Sequence, residues 1–314
     1  MWLIFLSYLL MASTFTLAKT AVMYMKPIYF IGLRMTLAGV LLLGYLYYFD
    51  RKKCIFNRTD AKLFVLIVIF HIYFAYILEF WALQYLSSSK TSLLYNLSPF
   101  ITALLGYLLF SYKLSLKKWI ALIIGFVGMI PILMTYDVGS YASNKLPFAE
   151  IILLLAIGSA AYGWIVMKEL IVTRNYSPVM VNGVGMLFGG IAALVTAFIV
   201  EGKSPFVLNY NPTDMIGKLL LPHFGTVITP LIMAFGTMLC LIIIANIIGY
   251  NLFGYLLRFY SVTLLSFFGF MTPFIAGIFG LIFLSEKLSA PFFISLAITA
   301  ASLYLFYSQE LLES

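Results

Sequence analysis

Residues 87–115 read SSSKTSLLYNLSPFITALLGYLLFSYKLS, and residues 261–289 read SVTLLSFFGFMTPFIAGIFGLIFLSEKLS. Laid over each other at a spacing of 174, the two stretches agree at ten of 29 positions. The matches include Pro99-Phe100-Ile101 with Pro273-Phe274-Ile275, and Lys113-Leu114-Ser115 with Lys287-Leu288-Ser289. Self-similarity at a fixed long spacing marks a duplicated unit. Each copy holds about 20 mostly apolar residues, the length a helix needs to cross a bilayer. The repeated element is therefore a membrane span with its polar exit.

The same length rule places spans near 2–24, 28–49, 63–86, 89–111 and 117–136, then 149–169, 179–201, 233–259, 262–284 and 290–309. Short turns such as Met25-Lys26-Pro27 make neighbours antiparallel hairpins. Residues 202–232, with Pro205, Pro212, Pro222 and Pro230, are expected to form a loop with a short interfacial or re-entrant piece. Five spans per copy is an odd number, so the copies cross in opposite senses. The charges agree: Lys117 and Lys118 follow the first copy, whereas Pro291 and Phe292 stand at the matching positions after the second. The expected fold is an all-α integral membrane protein of ten transmembrane helices built as two inverted five-helix repeats, 1–140 and 146–314, with 202–232 an insert in the second. Inverted repeats meeting at a midplane site are a recurring plan of secondary transporters.

Composition excludes other classes. The 314 residues are 63% hydrophobic and 10% charged, against about 25% charged in soluble domains. The net charge of +8 comes from single basic residues and short basic loops, so no nucleic-acid partner is expected. With both termini in the cytoplasm, eleven Lys and Arg fall in inner loops and six in outer ones, with Lys19 and Arg34 inside spans. That bias satisfies the positive-inside rule for a multi-pass protein of a bacterial inner membrane. The first apolar run reads as a span and not a cleaved signal. Cys54 and Cys240 imply no disulfide framework, and two histidines are too few for a metal site. No phosphate-binding Gly-rich loop is present. The expectation is therefore no cofactor and no metal, with a small-molecule solute, the lipid bilayer and a homodimer as partners.

The residues resemble a known family. Pro27-Ile28-Tyr29-Phe30-Ile31-Gly32-Leu33-Arg34, with Ala38-Gly39 beyond, is similar to the second-span signature of EamA-type transporters. Pro99, Gly106 and Ser111-Tyr112-Lys113-Leu114-Ser115 resemble the end of that family's fourth span. Ser285-Glu286-Lys287-Leu288-Ser289 resembles its Gly-Glu pattern more closely, with Ser285 in place of the usual Gly; the first copy has Tyr112 where the family usually has Glu. The resemblance covers nearly the whole chain and implies the ten-helix fold of the drug/metabolite transporter superfamily, although 202–232 is longer than expected. His71 to Leu86 (HIYFAYILEFWALQYL) and Lys90-Thr91-Ser92 are similar to a subgroup of intracellular bacteria that exchanges S-adenosylmethionine for S-adenosylhomocysteine.

Ionisable groups at membrane depth are costly, which makes each a functional candidate. Lys19, Arg34 and Glu79 come from three spans yet fall in roughly one layer, leaving one positive charge for an incoming carboxylate. Arg34 offers a planar fork suited to that carboxylate. Glu79 has three readings: pairing with Arg34, meeting an ammonium or sulfonium centre, or taking up a coupling proton. His71, eight residues earlier on nearly the same face, is a proton-relay candidate or a packing residue. Trp81, Tyr85, Tyr162, Trp164, Tyr250 and Tyr255 are rings suited to a base or a cation. Asn96 and Asn246 are polar groups in apolar spans that need partners. Arg258 and Lys168 read as topology determinants, and the glycines of 183–190 as close helix contacts.

The expected function is a secondary transporter moving a zwitterionic or nucleoside-containing metabolite by alternating access. An amino-acid or drug exporter of the same superfamily is the nearest alternative. A membrane-embedded lipid-modifying enzyme would want a catalytic pair or metal cluster near an interface, and a channel would want a polar stripe along several helices. Neither pattern is present.

Overall fold

The computed structural model describes residues 2–110, 113–134, 146–207, 215–256, 259 and 268–313, with side chains described for these except 110, 146, 215–227 and 309–313. Ser111, Tyr112, Lys145, Pro212, Arg258, Ser261 and Ser266 of the sequence reading lie outside these residues, as do the side chains of Lys218, Pro222 and His223.

Among the described residues ten helices follow one another. α1 is Trp2–Tyr24 and α2 is Pro27–Phe49. α3 comprises Ala61–Leu66, a π-helical stretch Ile67–Phe74, and Ala75–Leu83. α4 is Ser88–Tyr95 and Ser98–Phe110, and α5 is Leu116–Val127 and Ile130–Leu133. α6 is Leu146–Lys168, ending in a π turn Glu169–Thr173, and α7 is Pro178–Val200. α8 comprises Met215–Leu241, a π stretch Ile242–Gly249, and Tyr250–Leu256. α9 is Met271–Leu284 and α10 is Ala290–Glu313. Nine of the described helices are long and apolar enough to cross a membrane, and α9 is a shorter apolar helix. Their outward faces, with Leu37, Val40, Leu41, Phe198 and Ile199 exposed, are what a lipid solvent requires.

The breaks have local causes. Pro99 has no N–H for the Tyr95 carbonyl, and α4 parts at Asn96-Leu97; Pro131 likewise parts α5 at Gly128-Met129. The Ile132 N–H beside that break donates to Ser295 Oγ of α10 at 3.2 Å, so a neighbouring helix satisfies the exposed backbone. Residues 202–232 depart from expectation. α8 starts at Met215 and runs through Pro222 and Pro230, so a helix replaces the expected loop and re-entrant piece over most of that stretch. Prolines are tolerated inside membrane helices because neighbours re-satisfy the freed groups.

Small residues set the α2–α7 contact. A Cβ on Gly39 would lie 2.4 Å from the Leu187 nitrogen, and one on Gly190 2.4 Å from the Thr36 nitrogen. α5 packs on α10 and α4 on α9; α1 packs on α8 and α9, and α6 on α3 and α4. Exchanging each helix for the one five places away leaves these pairings unchanged. The π stretches of α3 and α8 start at Ile67 and Ile242, 242 − 67 = 175 residues apart.

One end of the bundle, called the basic end below, carries the 50–60, 113–115 and 174–177 turns. The opposite end is tightly laced. Glu201, at the end of α7, accepts from the Ile28 and Tyr29 amides at 3.0 Å each, capping α2 where a carboxylate meets the positive end of the helix dipole. Burial pushes its carboxyl above the ordinary range, and those amides with Lys26 offset part of the rise. Residues 205–207 run beside 24–26, with Lys26 N–H donating to the Pro205 carbonyl at 2.8 Å. Glu286 accepts from Ser88 N (2.7 Å), Ser89 N (3.1 Å) and Ser89 Oγ (2.7 Å), tying the α9–α10 turn to the start of α4. Lys90 pairs with Glu150 of α6 at 2.6 Å.

Candidate functional site

α2 carries Arg34 into the interior, where it is 2% exposed. Its Nε donates to Asn246 Oδ1 at 2.9 Å, and Asn246 sits in the π stretch of α8, a wider turn that often accompanies functional sites. The guanidinium lies over the Tyr76 and Phe80 rings at 5.6 and 5.9 Å, a favourable cation–π placement. Its terminal amino groups have no partner among the described residues. Glu79, on α3, is 8% exposed and accepts from the Tyr95 hydroxyl at 2.7 Å. Tyr95 ends the first segment of α4, so the Pro99 break positions that hydroxyl. Arg34 and Glu79 influence each other electrostatically but form no ion pair among the described residues.

Both side chains line a cavity of about 720 Å³, within the range of small-molecule sites. Its deep wall includes His71, Tyr76, Asn96, Trp164 and Tyr250, and its outer wall includes Lys113, Lys118, Lys168 and Tyr307. Lys118 also lies over the Phe306 ring at 5.3 Å. The cavity thus reaches the basic end, and among the described residues none of its lining comes from the laced turns at the opposite end. The hydroxyls of Tyr76 and Tyr250 hydrogen-bond across the interior; the two residues stand 174 apart, the spacing of the sequence repeat.

The comparisons with known proteins fit this geometry. The model of the EamA-like transporter family matches residues 1–134 and 147–308. The chain belongs to the EamA-like transporter family. It is a multi-pass membrane transporter of small metabolites and not an enzyme. Over 98% of its length it is 31% identical to the S-adenosylmethionine/S-adenosylhomocysteine transporter of Chlamydia muridarum, 92% of which is covered. The transporter of the same name from Chlamydia trachomatis serovar D is 30% identical over 98% of this chain and 89% of its own. A chloroplastic WAT1-related protein of Arabidopsis thaliana is 26% identical over 96% of this chain and 69% of its own. A solved crystal structure, 16% identical, superposes with a TM-score of 0.62 over 100% of this chain and 98% of the other; that likeness concerns the fold alone.

In this EamA-like chain the bundle gathers six of the sequence-predicted residues on one cavity: Arg34, His71, Glu79, Asn96, Trp164 and Tyr250. The other five lie elsewhere. Lys19 Nζ donates to the Leu83 carbonyl at 2.6 Å, capping α3 and leaving the cavity wall, so the extra positive charge expected in the layer is spent outside the cavity. Trp81 and Tyr85 pack on each other, and Trp81 also on Phe148. Tyr162 meets Phe70. Tyr255 is exposed and packs on Phe259. Lys168, expected to act on topology alone, lines the cavity mouth. Tyr76 and Tyr95 were not singled out in the sequence. Tyr76 carried a signal, three residues before Glu79 on the same face and 174 before Tyr250; Tyr95 carried none, since only the fold brings α4 to Glu79. Chemically, the wall offers an open cation, a carboxylate with one donor, and aromatic faces, which suits a zwitterion bearing a planar group.

Proposed function

We propose that this transporter exchanges S-adenosylmethionine for S-adenosylhomocysteine. The observation that carries the reading is the near-full-length match to chlamydial transporters of that name, together with a cavity whose buried cation and carboxylate do not neutralise each other by direct pairing. Arg34 takes the solute carboxylate through its terminal amino groups, forming the bidentate contact that favours Arg. Glu79 faces the ammonium or sulfonium, held in place by Tyr95. Asn96, Trp164 and Tyr250 line the remainder. In this assignment Lys19, Trp81, Tyr85, Tyr162 and Tyr255 have no contact with solute.

The basic end lies in the cytoplasm with both termini, in a bacterial inner membrane, following the positive-inside bias. The conformation described is then open inward and laced shut outward. Two inverted halves, 1–140 and 146–314, rock about the Arg34 layer. The five-place pairing of helices, the π stretches 175 apart, the Tyr76–Tyr250 contact and the two family-matched stretches support that arrangement.

The test uses a bacterial host that lacks uptake of S-adenosylmethionine. Cells expressing the protein are expected to take up the labelled compound with saturation and to release it when unlabelled S-adenosylhomocysteine is added outside. Uptake no greater than in empty cells, with the protein in the membrane, would remove the proposal.

A further inference from the structure

The deep wall holds a second cluster that neither the family nor the relatives' names assign. His71 is 2% exposed and lines the cavity. It sits in the π stretch of α3, and α6 presses against it so closely that a Cβ on Gly163 would lie 2.4 Å from the His71 Cβ. The imidazole stands edge-on to Trp164, with centroids 4.7 Å apart, and to Tyr250 at 6.0 Å. Trp164 and Tyr250 are themselves nearly parallel, 11° and 5.6 Å apart. Neither ring nitrogen of His71 has a partner at hydrogen-bonding geometry among the described residues, and the Ala160 backbone of α6 is the group that faces the ring. A buried polar group left so is destabilising, and a bound partner would remove that cost.

The chemistry of that partner follows. A neutral imidazole whose N–H is turned toward the Ala160 carbonyl presents its other nitrogen as an acceptor. An acceptor beside two aromatic faces suits a flat heterocycle with an N–H donor on its edge. We propose that His71, Trp164 and Tyr250 form the base subsite, in which His71 accepts from the exocyclic amine of an aminopurine while the base stacks on the outer face of the Trp164–Tyr250 pair. This rests on the exchange reading above and assigns the base end of the solute. It also gives His71 a recognition role in place of a proton relay.

The experiment is counterflow in proteoliposomes of the full chain, comparing S-adenosylhomocysteine with S-inosylhomocysteine, whose base carries a carbonyl where the amine was. A site built to bond a polar group rejects an analogue that leaves it unpaired. The wild type is expected to favour the adenosyl compound by about 30-fold in kcat/KM, corresponding to about 2 kcal/mol. His71→Phe keeps a flat ring without an acceptor, and its ratio is expected to fall to near unity while adenosyl counterflow persists. A wild type indifferent to the amine, or an unchanged ratio in H71F, would overturn the subsite and leave the exchange reading standing. No counterflow with either compound in the wild type would overturn both. Should H71F fail to insert, emission from Trp164 is read with Trp2, Trp81 and Trp119 replaced by Phe. Adenosine is expected to quench it and inosine to do so at least tenfold less tightly, and equal quenching contradicts the proposal.

Discussion

Asn246 occupies only one of the five N–H donors that Arg34 brings into the bundle, and Arg34 lines the cavity. Arg34→Ala is expected to lower kcat/KM for exchange about 100-fold through loss of a charge-assisted, bidentate contact, with unchanged monodispersity in detergent. Arg34→Lys should recover little, because an ammonium cannot keep Asn246 and offer a planar fork together. Glu79→Gln keeps an acceptor for Tyr95 but removes the charge. Transport of the sulfonium solute should therefore fall about tenfold more than that of the thioether, about 1.4 kcal/mol of selectivity, measured by competition. Arg34, Glu79 and His71 were legible in sequence because charge inside an apolar run is expensive and stands out. The direction of Lys19 was not legible: depth along a helix does not give rotation about it, and its ammonium turns to the Leu83 carbonyl. Tyr95 was hidden among 22 tyrosines, with nothing local to mark it as the donor to Glu79.

At the scale of the element, the α9–α10 turn combines two features. Ser285 adopts φ 57° at the end of α9, a left-handed conformation that costs a non-glycine residue about 1–2 kcal/mol. Ser285→Gly is expected to raise stability by about 1 kcal/mol, read as a higher melting temperature in detergent. The next residue, Glu286, holds Ser88 and Ser89 of α4. Its place in the first copy is taken by Tyr112, so only the second-copy turn carries a carboxylate for this lacing. Glu286→Ala should loosen the laced end. With Cys54 and Cys240 replaced by Ser, a cysteine at Ser92 should then react several-fold faster with an impermeant maleimide added from that side. In the α2–α7 contact, Gly39→Val should cost about 1–3 kcal/mol by overpacking against the Leu187 backbone. The close contact was legible from the glycines themselves. The helical course of Met215 through Pro230 was not, because proline reads as a breaker wherever the neighbours that compensate it are unseen.

At the scale of the molecule, the 174-residue repeat in the sequence reappears as contacts between counterparts: Tyr76 with Tyr250, α2 with α7, α5 with α10 and α4 with α9. Under the proposed arrangement of two inverted halves, each half adopting the other's form gives a low-cost route between inward- and outward-open states. The apolar spans were legible because apolar length is a property of the chain. Which end is closed was not, because Glu286–Ser88, Lys90–Glu150 and Glu201–Ile28 join residues 60 or more positions apart. Counterflow in proteoliposomes containing the purified chain tests the exchange most directly. Labelled S-adenosylmethionine is expected to accumulate transiently when the lumen holds S-adenosylhomocysteine and to stay at background when the lumen is empty. Equal uptake into loaded and empty vesicles, or none into either, would contradict it.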